Sequence, residues 1–147
     1  MRAVAALITG LVTAAPLLTA CDAGSSGANA SCVGPYLDAH PPGERPGGPP
    51  PSVRAGGDLT VYGHWFTSTC NDTGQDHEPV RPLPPDTLTL TLPGARPGGS
   101  VPLGTFTPEG DELGFAVTIH IPAHTPTGVA RVADGEGRTF RFHVAAS

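Results

Sequence analysis

Carboxylates and histidines are the side chains of this sequence best equipped for chemistry, and neither type is gathered into a familiar motif. Asn71, Asp72, Asp76 and Glu78 crowd one polar segment. Oxygen-rich loops of this kind suit calcium, which takes about six to eight oxygen ligands from carboxylates and carbonyls. Asp111 and Asp134, from two other polar loops, could complete the set, so Asp72, Asp76, Glu78, Asp111 and Asp134 are the candidate cation ligands. Their spacing is not that of an EF-hand. Histidine chemistry has less support. His120 and His124 lie four apart, a spacing that suits zinc when both sit on one helical turn, but Pro122 stands between them. A transition-metal site would have to be built across strands. His64, His120 and His143 each alternate with apolar neighbours, which points them outward from strands.

Signatures of nucleophilic, phosphate and zinc-protease chemistry are missing from the sequence: it has no Gly-x-Ser-x-Gly elbow, no P-loop and no His-Glu-x-x-His. The expectation is therefore a protein that is not an enzyme and has no cofactor, with calcium as the cation to consider and a transition metal as the weaker alternative. All eight basic residues are arginine, the formal net charge is −5, and no basic patch is visible. That balance argues against nucleic acid as a partner.

The front of the chain carries an address. Met1 and Arg2 precede residues 3–18, which are apolar apart from Thr9, Gly10, Thr13 and Pro16. This has the length and flanks of a signal peptide, and Pro16 interrupts it before it reaches the roughly 20 apolar residues of a membrane span. Its end, Leu18-Thr19-Ala20-Cys21, resembles the lipobox of bacterial lipoproteins. The abundance of Gly, Pro, Ala and Arg looks like a high-GC Gram-positive source. The resemblance implies cleavage before Cys21, a diacylglycerol on its sulfur, and a chain held on the extracytoplasmic face of the membrane. With Cys21 acylated, Cys32 and Cys70 remain as an even pair in an oxidising compartment. A bridge between them would stabilise the fold by roughly 4 kcal/mol through the unfolded chain. Residues 22–31 have no apolar side chain larger than alanine and read as a flexible tether with a coil span of about 18 Å. The expected division is a signal at 1–20, lipidated cysteine and tether at 21–31, and an ordered domain at 32–147.

What must position the candidate residues is a set of short strands. Residues 40–53 are mostly proline and glycine, which excludes helix and favours an extended loop. Beyond it, Thr-Leu-Thr-Leu-Thr-Leu at 87–92 is strictly period two, and 58–66, 115–121 and 139–144 repeat the pattern. Leu88, Leu90, Leu92, Phe115, Val117, Ile119, Ile121, Phe140, Phe142 and Val144 are the inward set. Shorter pieces at 52–54, 101–106 and 128–132 bring the total to about seven strands, with no sustained helical period. The expectation is an all-β antiparallel sandwich.

The segment Gly114-Phe115 through an alternating strand to Ile121-Pro122, then Pro126-Thr127-Gly128, a short strand and a final alternating strand, resembles bacterial immunoglobulin-like extracellular domains. Gly56-Gly57 ahead of an alternating strand resembles the front of the same domain. Alternating strand direction then gathers Asp72, Asp76, Glu78, Glu109, Asp111, Glu112, Asp134 and Glu136 in loops at one pole. Arg96 is the one formal charge in the loops at the other. Asn71-Asp72-Thr73 reads as a turn beside Cys70 rather than a glycan site. Such domains host binding, accessory and spacer roles. The expectation is a lipid-anchored binding or accessory module for an envelope or extracellular protein, with Tyr36, Tyr62 and Trp65 as candidate partner-binding residues. A metal-binding surface protein and a purely structural envelope spacer are the alternatives.

Overall fold

A computed structural model describes residues 33–68 and 79–147. Among the described residues there are eight strands and no helix. They are β1 (Tyr36–Asp38), β2 (Ser52–Arg54), β3 (Asp58–His64), β4 (Asp86–Thr91), β5 (Val101–Phe106), β6 (Phe115–His120), β7 (Gly128–Ala133) and β8 (Thr139–Ala145). They form two sheets, β1-β3-β6 and β2-β8-β7-β4-β5. The chain is an all-β sandwich, and its strand order is of the immunoglobulin kind. The second and fifth strands of that plan (β3 and β6) lie in one sheet, while its third, sixth and seventh (β4, β7 and β8) lie in the other.

Two points differ from the sequence expectation. The strand count is eight, because three residues at 36–38 pair with the end of β3. The sheets are also not wholly antiparallel, since β2 runs parallel to β8. Both follow from one cause. The first edge of the sandwich is shared: the chain pairs with one sheet at β1, crosses through 39–51, and joins the other sheet at β2.

Alternation decides which side chains meet in the middle. Leu88 and Leu90 of β4, Val117 and Ile119 of β6, Ala130 and Val132 of β7, and Phe142 and Val144 of β8 are all buried. Each such Val, Leu, Ile or Phe contributes roughly 1.5–3 kcal/mol by leaving water. The outer faces hold threonines and charges: Thr60 bonds Thr118 at 3.0 Å, and Thr87 bonds Thr105 at 3.2 Å.

Gly63 is required by this packing. A Cβ there would collide with the ring atoms of Phe115, its register partner. That ring is already held between Phe66 and Phe106, with centroids 4.8 and 5.5 Å away. β3 stops just beyond, where Trp65 takes a φ of 54° in the left-handed region and turns the chain, returning Phe66 to the core.

The loops sort to two poles as strand direction requires. At the upper pole Trp65 N–H donates to the Glu112 carbonyl (3.1 Å), Phe66 N–H to that of Leu113 (3.0 Å), and Gly135 N–H to Asp86 Oδ1 (3.1 Å). At the lower pole Gly56 N–H donates to the Ile121 carbonyl at 2.8 Å. β1 runs antiparallel to the rising β3, so the chain enters at the upper pole beside Tyr36.

Candidate functional site

The outer face of the three-stranded sheet carries a dense group of polar side chains. In β1 Leu37 is buried, so Tyr36 and Asp38 face outward; in β3 Val61 and Gly63 are buried, so Tyr62 and His64 share that outward face. Register sets Tyr36 opposite His64 and Asp38 opposite Tyr62.

His64 does not lie open to solvent. Its side chain is 2% exposed, which corrects the expectation that it is a solvent-face residue. Period two gave the right face, but that face is roofed here by Tyr36, the 38–44 segment and Glu112. The Tyr36 ring stacks on the imidazole at 4.8 Å and 13°. Nδ1 lies 3.1 Å from Glu112 Oε2, and Nε2 lies 3.1 Å from Asp38 Oδ1 and 3.0 Å from the His40 carbonyl. Every neighbour of the two ring nitrogens is an oxygen, so the bonds are complete only when hydrogens sit on both nitrogens or on one of the carboxyl groups.

The carboxylates are equally occupied. Asp38 Oδ1 also accepts from His40 N–H at 2.9 Å, and Oδ2 lies 3.3 Å from His40 Nδ1. Glu112 Oε1 accepts from Gly43 N–H at 3.1 Å. One imidazole therefore ties together β1, β3, the 38–44 segment and the loop between β5 and β6. Burial pushes the Tyr36 hydroxyl pKa above its ordinary value, and the negative charges of Asp38 and Glu112 push it further in the same direction.

Beside this cluster an open cleft of about 450 Å³ is lined by Pro42, Tyr62, Glu109, Asp111, Glu112 and Ala116, among others. Of the candidate partner-binding residues, Tyr36 and Tyr62 are thus both brought beside His64, with Tyr62 6.3 Å from it. Trp65 follows them in the chain and is 38% exposed.

The candidate cation ligands are not brought together by the described residues. Asp111 is exposed at the cleft. The Asp134 side chain is fully buried: Oδ1 accepts from Glu136 N–H (3.0 Å) and Arg138 N–H (2.8 Å), and Oδ2 from Arg138 Nη1 (2.8 Å). Its oxygens hold the β7–β8 turn and position Arg138, whose guanidinium sits 5.2 Å over the Phe66 ring. Asp72, Asp76 and Glu78 lie outside the described residues, as do Cys21, Cys32 and Cys70. Among the described residues no group of three or more His, Cys, Asp or Glu side chains is arranged to hold a metal. His120 is solvent-facing and bonds Asp58 at 2.8 Å, and His143 is exposed as its alternation implied.

Sequence reasoning missed Asp38 and His40 and treated Glu112 only as loop charge. The one available signal was the alternation of Tyr36, Leu37 and Asp38, too short to stand out.

No protein family and no curated protein matches the chain. Among solved structures it is similar to a superoxide reductase (neelaredoxin) from Ignicoccus hospitalis, with a TM-score of 0.38 and 19% identity over 84% of this chain and 88% of that one. A likeness this distant assigns no reaction or metal to the present chain.

Proposed function

We propose that this is a lipid-anchored protein of the extracytoplasmic face of a bacterial membrane, whose sandwich is a non-catalytic module that binds an envelope or extracellular protein. The binding surface is the upper end of the three-stranded sheet, around Tyr62. The observation that carries this reading is the mutual saturation of His64, Asp38 and Glu112 beside an open cleft. A general base needs a free lone pair within reach of a substrate proton, and the nitrogens of His64 are both engaged by protein oxygens. What lines the cleft instead is the half-buried ring of Tyr62 with the carboxylates of Glu109, Asp111 and Glu112, a charged surface that favours a complementary partner. The lipobox-like Leu18-Thr19-Ala20-Cys21 supports the anchor, and the tether would reach the domain at the pole where Tyr36 begins β1.

Two measurements test it. Cys21→Ser should move the protein from the membrane fraction to the medium; retention in the membrane would remove the lipid anchor. A benzophenone side chain at position 62 should crosslink a protein in intact cells, while one at position 87, on the outer face of the five-stranded sheet, should not. Equal yields from both positions would remove the binding surface.

A further inference from the structure

The sandwich has four edges, and three are blunted. β1 and β2 have only three residues each. β5 contains Pro102, and its pairing with β4 shifts register between Leu88 and Thr89. Short strands, proline and bulges are the usual protections of an edge. β6 has none of them. It is six residues of Phe-Ala-Val-Thr-Ile-His, in register with β3 along its length. Ile121 just beyond it donates to Gly57 and accepts from Gly56. By alternation the N–H and C=O groups of Ala116, Thr118 and His120 therefore point away from β3. No described residue pairs with them.

The upper end of this edge is already begun. Glu109 and Gly114 form an isolated bridge, with Glu109 N–H donating to the Gly114 carbonyl at 2.7 Å and Gly114 N–H to the Glu109 carbonyl at 2.9 Å. Glu109 thus fills the first rung of a fourth strand, and among the described residues nothing continues it. The immunoglobulin plan has a strand at this position, beside the fifth.

The surroundings select the occupant by charge. Glu109, Asp111 and Glu112 line the cleft at the top of the edge, and Asp58 stands exposed at its foot. Neither the three strands of this sheet nor the loop at 107–114 contains an arginine or lysine. On the outer face Tyr62 lies opposite Ala116, and both line the cleft. A second copy of β6 brings no arginine or lysine to this position.

We propose that β6 is a docking edge: an extended arginine- or lysine-bearing segment of a partner protein adds as the fourth strand, and its residue opposite Ala116 sets a cation in the cleft between Tyr62 and the carboxylates of Glu109 and Asp111. This rests on the binding-module reading and names its partner's chemistry. Backbone pairing at Ala116, Thr118 and His120 supplies the framework, as in other strand additions. The ring face and carboxylates supply selectivity.

The test titrates the full chain with a ten-residue peptide that alternates valine with threonine and carries two arginines on one face. One control replaces the arginines with glutamates, and another is N-methylated at the pairing amides. The arginine peptide should bind and move the amide signals of Ala116, Thr118 and His120 most. The glutamate peptide should bind at least tenfold more weakly, the N-methylated one not at all, and Ala116→Lys should weaken the arginine peptide at least tenfold. Equal binding of the N-methylated peptide, or shifts confined to the five-stranded sheet, would overturn the proposal. So would a concentration-dependent dimer abolished by Ala116→Lys, which would give the edge to a second copy. Crosslinking from position 62 without peptide binding at β6 would remove this inference and leave the module reading standing.

Discussion

His64 and Glu112 are 48 residues apart in the chain, yet Nδ1 of one lies 3.1 Å from Oε2 of the other, and the same imidazole meets Asp38 through its second nitrogen. The contact fastens the loop between β5 and β6 to the end of β3. It also sets two carboxylates against one ring.

Removing that ring should therefore cost more than its packing. In His64→Ala, Asp38 keeps only His40 and Glu112 only the Gly43 amide while both are still mostly covered, so stability should fall by about 2–4 kcal/mol. That corresponds to a drop of roughly 10 °C in melting temperature. Adding Asp38→Asn to the variant should cost much less than Asp38→Asn in the parent, because the two residues act as a unit. Urea unfolding of the four proteins checks this, and additive losses would show that the contact is incidental.

Tyr36 gives the fold an alkaline limit. Its hydroxyl is held above the ordinary value of 10.0 by burial first, then by Asp38 and Glu112. A group raised in the folded state contributes fully below its unfolded pKa, near 10, and that contribution is lost as pH rises through the folded value. Stability should accordingly hold from neutral pH to about 10 and then decline, while Tyr36→Phe should decline less over the same window. Denaturant midpoints at about pH 8 and at steps above about pH 10 measure it; parallel decline of both proteins would refute the assignment.

Asp134 should behave as a structural carboxylate. Asp134→Ala removes three accepted hydrogen bonds, one from a guanidinium, and leaves Arg138 without its 2.8 Å partner. The expected cost is about 3 kcal/mol, together with faster hydrogen exchange at the amides of Glu136 and Arg138. A change under about 0.5 kcal/mol would mean that the turn is held by something else.

Much of this architecture was legible in the sequence, where period two was long enough to read. Leu88 and Leu90, Val117 and Ile119, and Phe142 and Val144 announced their strands, and strand alternation alone sent Glu112 and Asp134 to the same pole. What escaped depends on contacts distant in sequence. Three residues at 36–38 have no measurable period, and their partner strand begins about twenty residues later. His64 was assigned to the correct face, but nothing local indicates that Tyr36 would lie over it. The parallel pairing of β2 with β8 joins residues near opposite ends of the domain, beyond any local pattern.

That parallel pair has a mechanical consequence. His143 N–H donates to the Pro51 carbonyl at 2.8 Å and Ala55 N–H to that of Ala145 at 3.0 Å, so rungs brace both ends of the short β2. Tension drawn between the N-terminal side and the C-terminus pulls β2 and β8 in opposite directions along a common axis. The load is then shared by the rungs at once, in shear, instead of opening them one after another like a zip.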